Sequence, residues 1–184
     1  MQETTQVANI KEREWQIVPL SLEESVELCL AFCTGIVAFN SSINSPYLIV
    51  HSPPTVGGGI PVLSMDDAMH GKYYNQSSDN TNRISLTDVF AQYIDELTKV
   101  GSNTSCIGIY MASGNRANPT DLAILRNFIM DSRFSVFGAE LNEMVRLRLV
   151  PNRGIIQFMN LAEEIEIRPH YVIGTRYGTN LRTS

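Results

Sequence analysis

Basic residues are scarce in this chain. Its 184 residues include 14 Lys and Arg against 19 Asp and Glu, which gives a formal net charge of −5 and a pI near 5.2. Proteins that bind nucleic acids gather Lys and Arg on one face to neutralise phosphates, and an acidic chain has few to spare for this. We therefore expect no nucleic-acid partner.

Long apolar runs are also missing, since no stretch reaches the roughly 18 consecutive apolar residues that a membrane-spanning helix needs. The opening residues, MQETTQVANIKE, lack the basic segment followed by an apolar segment that marks a secretory signal. The three cysteines, Cys29, Cys33 and Cys106, are an odd number and are expected to be free core thiols. We expect a cytoplasmic, reducing location and no membrane partner.

The composition that remains is that of one globular domain. Apolar residues make up 43% of the chain and charged residues 18%, a balance that buries a substantial core at this length. The predicted organisation is a flexible N-terminal arm at 1–12, a single globular α/β domain at 13–178 and a C-terminal tail at 179–184. A long polar loop at about 53–83 interrupts the domain.

The segment SLEESVELCLAFC predicts a first helix. Ser21 and Glu24 fit a capping box, and Leu22, Val26 and Leu30 recur at i, i+4 and i+8 to form one apolar stripe. This stripe is the candidate interaction face of the chain. Packing of the same stripe on the chain's own sheet is equally open, because amphipathic helices usually bury their apolar side there.

Two further helices are predicted, in SLTDVFAQYIDELTKV and in NPTDLAILRNFIMD, where Asn118 can cap and Pro119 takes the first helical position. Strand patterns occupy EWQIVPL, GIVAFNSS, PYLIVHSP, CIGIYMA, RFSVFGAE, MVRLRLV, GIIQFMN and EIEIRPHYVIG. GIVAFNSS and PYLIVHSP form a predicted hairpin, and residues 151–154 form a predicted turn. The expected class is α/β (α+β), a single mixed-sheet domain with helices packed on the sheet.

Candidate metal and nucleophile residues are sparse. His51, His70 and His170 are far apart in the chain, and Asp66, Asp67 and His70 read as a solvated loop. Catalytic zinc needs three convergent ligands, and no Cys–His nucleophile pair has a local signature. The expectation is therefore that the chain has no catalytic residues, no metal site and no cofactor.

The triple glycine Gly57-Gly58-Gly59 lacks the Lys-Ser/Thr of a P-loop and the spacing of a dinucleotide fingerprint. Loop flexibility is the simpler interpretation. The segment AFNSSIN, followed by this triple glycine, is also similar to macrodomains. That resemblance implies binding of ADP-ribose or another nucleotide, and it is kept as an alternative function.

Several segments together resemble the MPN family, also called JAB or Mov34 domains. They are WQIVPLSLEESVELC, TGIVAFNSS, Gly108-Ile109-Tyr110 in place of a Gly-Trp-Tyr strand, and NPTDLAIL in place of a Pro-Ser-x-x-Asp helix start. The resemblance covers about residues 15–170. It implies an MPN-like fold, in a family whose active members are zinc isopeptidases.

The chain departs from the active family at the metal ligands. Two histidines separated by one residue end the corresponding strand in active members, whereas this chain has Met111 and Ser113. Asp121 remains, but the second-strand region Cys33-Thr34-Gly35-Ile36 offers no carboxylate as general base. The resemblance therefore implies the metal-free, non-catalytic type, with Asp121 as a first-turn carboxylate that favours the helix dipole.

The predicted function is that of a non-catalytic scaffold, a protein-interaction subunit of a larger multi-subunit assembly. Its expected partners are proteins, in a homo- or hetero-oligomer. The alternatives are a structural assembly protein of a virus or phage particle, and the macrodomain-like nucleotide-binding domain.

Overall fold

The structure is a computed structural model. It describes residues 8–40, 42, 45–54, 72–75, 83–114, 117, 119–141, 144–159, 161, 163–168, 171–174 and 179–180.

Within these residues the chain forms fourteen strands and two α-helices. The strands are β1 Ala8–Asn9, β2 Glu14–Val18, β3 Val26–Leu30, β4 Thr34–Asn40, β5 Tyr47–Ser52, β6 Lys72–Asn75, β7 Arg83–Ser85, β8 Ile107–Ser113, β9 Phe134–Glu140, β10 Val145–Val150, β11 Ile155–Phe158, β12 Glu163–Arg168, β13 Tyr171–Gly174 and β14 Thr179–Asn180. The helices are α1 Leu86–Lys99 and α2 Pro119–Ile129. Neither helix among the described residues is both long and apolar enough to cross a membrane.

The strands form two sheets. One has six strands in the order β1-β3-β10-β11-β12-β13, and the other has eight in the order β14-β9-β8-β4-β5-β2-β6-β7. Both are mixed, since β1–β3, β8–β9 and β2–β6 pair in parallel and the other described pairs are antiparallel. The mixed α+β class is confirmed, with the strands divided between two sheets.

Two core clusters make the molecule a stack of three layers. One cluster lies between the sheets and includes Leu28, Phe39 and Leu147, and the other packs the eight-stranded sheet against both helices. Strand β4 is buried on both faces because it lies near the middle of the stack, which explains its unbroken apolar sequence. The predicted hairpin of β4 and β5 is confirmed, and it lies in the interior of the larger sheet.

The predicted first helix is wrong, because Val26–Leu30 is a strand that pairs antiparallel with β10. Val26, Leu28 and Leu30 are buried between the sheets, while Cys29 on the opposite face is exposed. A spacing of four residues fits both a helix and the two-residue period of a strand, so Val26 and Leu30 satisfied either pattern.

The candidate interaction face is corrected as a consequence. Val26 and Leu30 belong to the core cluster between the sheets, and Leu22 is partly buried against the same cluster. These three side chains thus serve the core, which was the second of the two interpretations of the stripe.

Each predicted chain end contains a short strand. Within the predicted arm, β1 pairs with β3 and Ile10 is fully buried, while residues 1–7 lie outside the described part. Within the predicted tail, β14 pairs with β9, and residues 181–184 lie outside the described part.

Two pieces of the predicted polar loop are ordered as strands, because β6 and the first residue of β7 fall inside 53–83. The remaining residues of this loop that carried predictions, Gly57–Gly59, Asp66, Asp67 and His70, lie outside the described residues, as do Asn118 and His170. The helix prediction for α1 is confirmed, with Ser85 as its cap. Helix α2 begins at Pro119 as predicted, and a short 3-10 turn at Pro151–Arg153 joins β10 to β11.

Candidate functional site

Cys33 and His51 form a hydrogen-bonded pair between the two sheets. The Sγ of Cys33 lies 3.0 Å from the Nε2 of His51. The other ring nitrogen, Nδ1, lies 2.8 Å from the carbonyl oxygen of Ile10, which can only accept, so Nδ1 carries the proton. In the neutral ring Nε2 is therefore the acceptor, and the Cys33 thiol donates to it.

The β4–β5 hairpin brings these two side chains together. Its register places Gly35 opposite His51, and Cys33 stands two residues before Gly35, one diagonal step away across the pair. The carbonyl of Cys33 also accepts from the N–H of Gly114, 3.0 Å away. A side chain at Gly114 would collide with the backbone of Phe32 at 2.8 Å, so glycine allows this close approach.

The turn that precedes β2 holds His51 from the other side. The carbonyl of Ile10 accepts from the imidazole, and the N–H of Arg13 donates to the His51 carbonyl at 2.8 Å. Arg13 adopts a left-handed conformation with φ of 67°, which is unfavourable for a residue with a side chain. The strained residue thus lies in the turn whose backbone forms hydrogen bonds with His51.

Burial keeps both partners uncharged at rest. Desolvation lowers the pKa of His51 below its ordinary value of 6.5, although Ile10 and the carboxylates of Glu12 and Glu14 act in the opposite direction. Desolvation also raises the pKa of the Cys33 thiol above 9.0. The resting pair is thus a thiol and a neutral imidazole, not a thiolate and an imidazolium.

Neighbouring backbone groups act against burial at the Cys33 thiol. The amide groups of Ala31, Phe32 and Cys33 lower the pKa of the thiol, against the stronger effect of burial and the added effect of the Glu12 carboxylate. N–H groups that favour a thiolate also favour other negative charge at the same place. The backbone of residues 31–33 therefore partly offsets the effect of burial on the pKa of the thiol.

Glu12 completes a cluster of three potential ligands. One donor atom each from Glu12, Cys33 and His51 lies within 4.8 Å of the other two. Glu12 is exposed, whereas Cys33 and His51 are buried with 1% and 4% of their surfaces accessible. The cluster is therefore recessed below the surface, with the carboxylate on its solvent side.

A second buried polar group lies on the helix-facing side of the same sheet. Asp121, in the first turn of α2 as predicted, accepts hydrogen bonds through Oδ2 from Ser52 Oγ at 2.6 Å and from the Tyr73 hydroxyl. Burial and the Asp121 carboxylate raise the pKa of Tyr73 well above its ordinary value, so the phenol remains a donor. These bonds attach α2 to the ends of β5 and β6.

Two of the positions matched to the zinc ligands of the MPN family, Met111 and Asp121, lie on the helix-facing side of the larger sheet. Met111 is buried on the helix-facing side of the sheet, and Asp121 is engaged by Ser52 and Tyr73. Among the described residues, the group with metal-ligating geometry is instead Glu12, Cys33 and His51.

The sequence has no local signature of a Cys–His nucleophile pair, but the fold brings Cys33 and His51 together across 18 positions of sequence. This pair was missed because Cys33 was assigned to a helix. The hairpin prediction contained part of the missing signal, because it places Gly35, two residues after Cys33, and His51 on neighbouring strands. All three cysteines are free, as expected, but only Cys33 is a buried core thiol, since Cys29 is exposed and Cys106 is partly buried.

No model of a known protein family matches the chain, and no significantly similar sequence is found among curated proteins.

Proposed function

We propose that the chain is a cysteine-dependent acyl-transfer enzyme, with Cys33 as nucleophile and His51 as general base. The observation that carries this proposal is the hydrogen bond from the Cys33 thiol to Nε2 of an imidazole whose Nδ1–H is held by the Ile10 carbonyl. A nucleophile, a base and a third group that orients the base are the parts that covalent catalysis requires.

The reaction starts from the neutral pair. As Sγ attacks a carbonyl carbon, His51 takes the thiol proton, and the imidazolium then donates it to the departing amine or alcohol. Water, deprotonated by His51, hydrolyses the thioester to release a carboxylic acid and restore the thiol. Because both groups are uncharged at rest, the proton moves during the attack and not before it.

The negative charge that develops on the substrate carbonyl oxygen must be stabilised by hydrogen-bond donors. The candidates for this role are the backbone amides of Ala31, Phe32 and Cys33, because they favour negative charge at the neighbouring sulfur. The exposed carboxylate of Glu12 favours the imidazolium, since its charge raises the pKa of His51. The two developing charges thus face groups of complementary sign.

The recess of the site limits its substrates. With 1% of Cys33 and 4% of His51 exposed, a carbonyl would have to be at the tip of a slender chain, not in the middle of a polypeptide, to reach the sulfur. A side-chain carboxamide or an ester has this shape. Phe32, next to the nucleophile and 45% exposed, offers an apolar contact for the rest of such a substrate.

The test uses p-nitrophenyl acetate and a glutamine-containing peptide. Wild-type protein should release a burst of nitrophenol equal to the enzyme concentration, or ammonia from the peptide, and mass spectrometry should find the acyl group on Cys33. Cys33→Ser and His51→Gln should each lower the rate by about a thousandfold or more.

Cys29→Ser is the matched control, because Cys29 is an exposed thiol on the strand that precedes the site. It should keep the wild-type rate. An acyl group that forms on Cys29, or a Cys33→Ser protein that is folded by circular dichroism and retains full activity, would refute the proposal.

The interaction-subunit function stays a second candidate. It is favoured by the large apolar side chains exposed on the described surface, of which Met130 at 87% and Met144 at 63% are the most exposed. Methionine adapts to irregular partner surfaces and is frequent where proteins bind one another. An enzyme can also be a subunit of an assembly, so the two functions are compatible.

A further inference from the structure

Glu12, Cys33 and His51 offer the donor atoms that zinc prefers. A thiolate sulfur, an imidazole nitrogen and a carboxylate oxygen are all common zinc ligands, and three protein ligands plus an open position are typical of reactive zinc sites. Here one donor atom from each of the three residues lies within 4.8 Å of the others.

The imidazole is already oriented for coordination. Its Nδ1–H donates to the Ile10 carbonyl at 2.8 Å, which leaves the lone pair of Nε2 directed at Cys33. Zinc-bound histidines almost always have such a second partner on their other nitrogen, and it fixes both the tautomer and the ring angle. The hydrogen bonds from residues 10–13 therefore orient the imidazole for metal coordination as well as for proton transfer.

The distances require only a small adjustment. Zinc–sulfur and zinc–nitrogen bonds of about 2.3 and 2.0 Å place two ligands of a tetrahedral ion about 3.5 Å apart. Sγ and Nε2 lie 3.0 Å apart, so they need to separate by about half an ångström. Glu12 is exposed, and rotation of its side chain brings the third ligand without disturbing the core.

We propose that Glu12, Cys33 and His51 bind a zinc ion, and that bound zinc inhibits the acyl-transfer reaction. The inhibition rests on the function proposed above, whereas the binding does not. Zinc displaces one proton from the Cys33 thiol to form the zinc–thiolate bond, and Nε2 gives its lone pair to the same ion. The sulfur then cannot attack a carbonyl, and the imidazole cannot accept a proton.

Binding is tested on a Cys29→Ser/Cys106→Ser protein, so that Cys33 is the sole thiol. Titration with Co²⁺ should produce one cobalt–thiolate charge-transfer band per chain, and Zn²⁺ should abolish it by displacement. Cys33→Ser should eliminate the band. Glu12→Gln should weaken zinc binding by about tenfold or more in competition with a chromogenic chelator.

Glu23→Gln is the matched control for Glu12→Gln, because it removes an exposed carboxylate elsewhere on the chain. It should leave zinc affinity unchanged. A protein that binds no Co²⁺ or Zn²⁺, or one whose affinity is unaffected by Glu12→Gln or lowered equally by Glu23→Gln, would overturn the proposed site.

Inhibition is measured with p-nitrophenyl acetate on metal-free protein. One equivalent of Zn²⁺ should remove the burst, and excess chelator should restore it. A burst that persists in zinc-saturated protein overturns the inhibition. Zinc binding with the expected variant pattern, but without acyl transfer in metal-free protein, supports the metal site and refutes the proposed enzyme.

Discussion

His51 is an ionisable side chain whose surroundings favour its neutral form at rest. Nδ1 donates to a carbonyl, Nε2 accepts from a thiol, and 4% of the residue is exposed. A proton on Nε2 would replace an acceptor by a donor in a place with little water. Protonation of His51 at low pH is therefore expected to destabilise the folded state.

We predict that His51 makes the protein less stable below pH 6.5. Its pKa is near 6.5 in the unfolded chain and lower in the folded one, so in the interval between them the unfolded state binds more protons. Stability therefore rises with pH through that interval and is fully present above 6.5. The loss on acidification is at most about 1.4 kcal/mol per pH unit.

Urea unfolding of wild type and His51→Gln across this range checks the prediction. Other groups titrate in the same range, so the informative quantity is the difference between the two proteins. The variant should be less stable than wild type at neutral pH and should have a flatter pH profile. Parallel profiles for the two proteins would show that His51 is not the group concerned.

The important side chains were only partly predictable from their positions in the sequence. Asp121 was correctly placed in a first helical turn, but its bonds to Ser52 and Tyr73 span 69 and 48 residues. Cys33 and His51 were missed because their meeting depends on strand register, which residue spacing within one helix cannot express. Pairs of residues this far apart in the sequence can be predicted only once the order and register of the strands are known.

Strand β3 shows how one segment can satisfy two patterns. Its sequence Val-Glu-Leu-Cys-Leu alternates strictly, with Val26, Leu28 and Leu30 inward. A capping-box pattern at Ser21 and Glu24 precedes it and also fits a helix. Pairing with β10 decides the outcome, helped by ion pairs from Arg146 and Arg148 to Glu27. Local propensity here is compatible with a helix, but pairing with β10 stabilises the extended conformation.

We predict that Val26→Asp abolishes the native fold. Val26 is fully buried between the sheets, and an unpaired carboxylate there costs several kcal/mol, comparable with a total stability of about 5–15 kcal/mol. Circular dichroism and thermal unfolding should show loss of the cooperative transition. The same change in a helix at a partner interface would have left the fold intact.

Cys29→Asp is the matched control on the same strand. Cys29 is exposed and opposite Arg146, so an aspartate there meets water and a cation. This variant should unfold at nearly the wild-type temperature. Equal destabilisation by the two substitutions would contradict the inward and outward assignment of β3.

The sequence predicts most helices and strands of the three-layer molecule, but not how the strands are divided between sheets. The helices α1 and α2, the central hairpin and the later strands follow their local patterns closely. The division into two sheets was not foreseen, because alternation reveals that a strand has a buried face but not which sheet covers it. The MPN resemblance stays a prediction.

Self-association or binding to another protein also stays a prediction, and we expect the purified chain to sediment above its 20.5 kDa monomer mass or to capture a partner from its source. Met130→Lys/Met144→Lys should reduce the sedimenting mass, because a buried ammonium group opposes an apolar contact. Cys33→Ser, as control, should sediment like wild type. A monomeric wild-type protein without a captured partner would end the interaction-subunit hypothesis.

The concealment of Cys33 depends on residues that the ribosome adds much later. Cys33, His51 and Ile10 all belong to the first third of the chain, but Gly114, which donates to the Cys33 carbonyl, and Leu141 and Val145, which belong to the same core cluster as Cys33, come much later. At about 5–20 residues per second, the thiol is synthesised on the order of ten seconds before its cover. During that interval the nascent chain presents its nucleophile openly, so oxidants and electrophiles reach it most easily before the protein is complete.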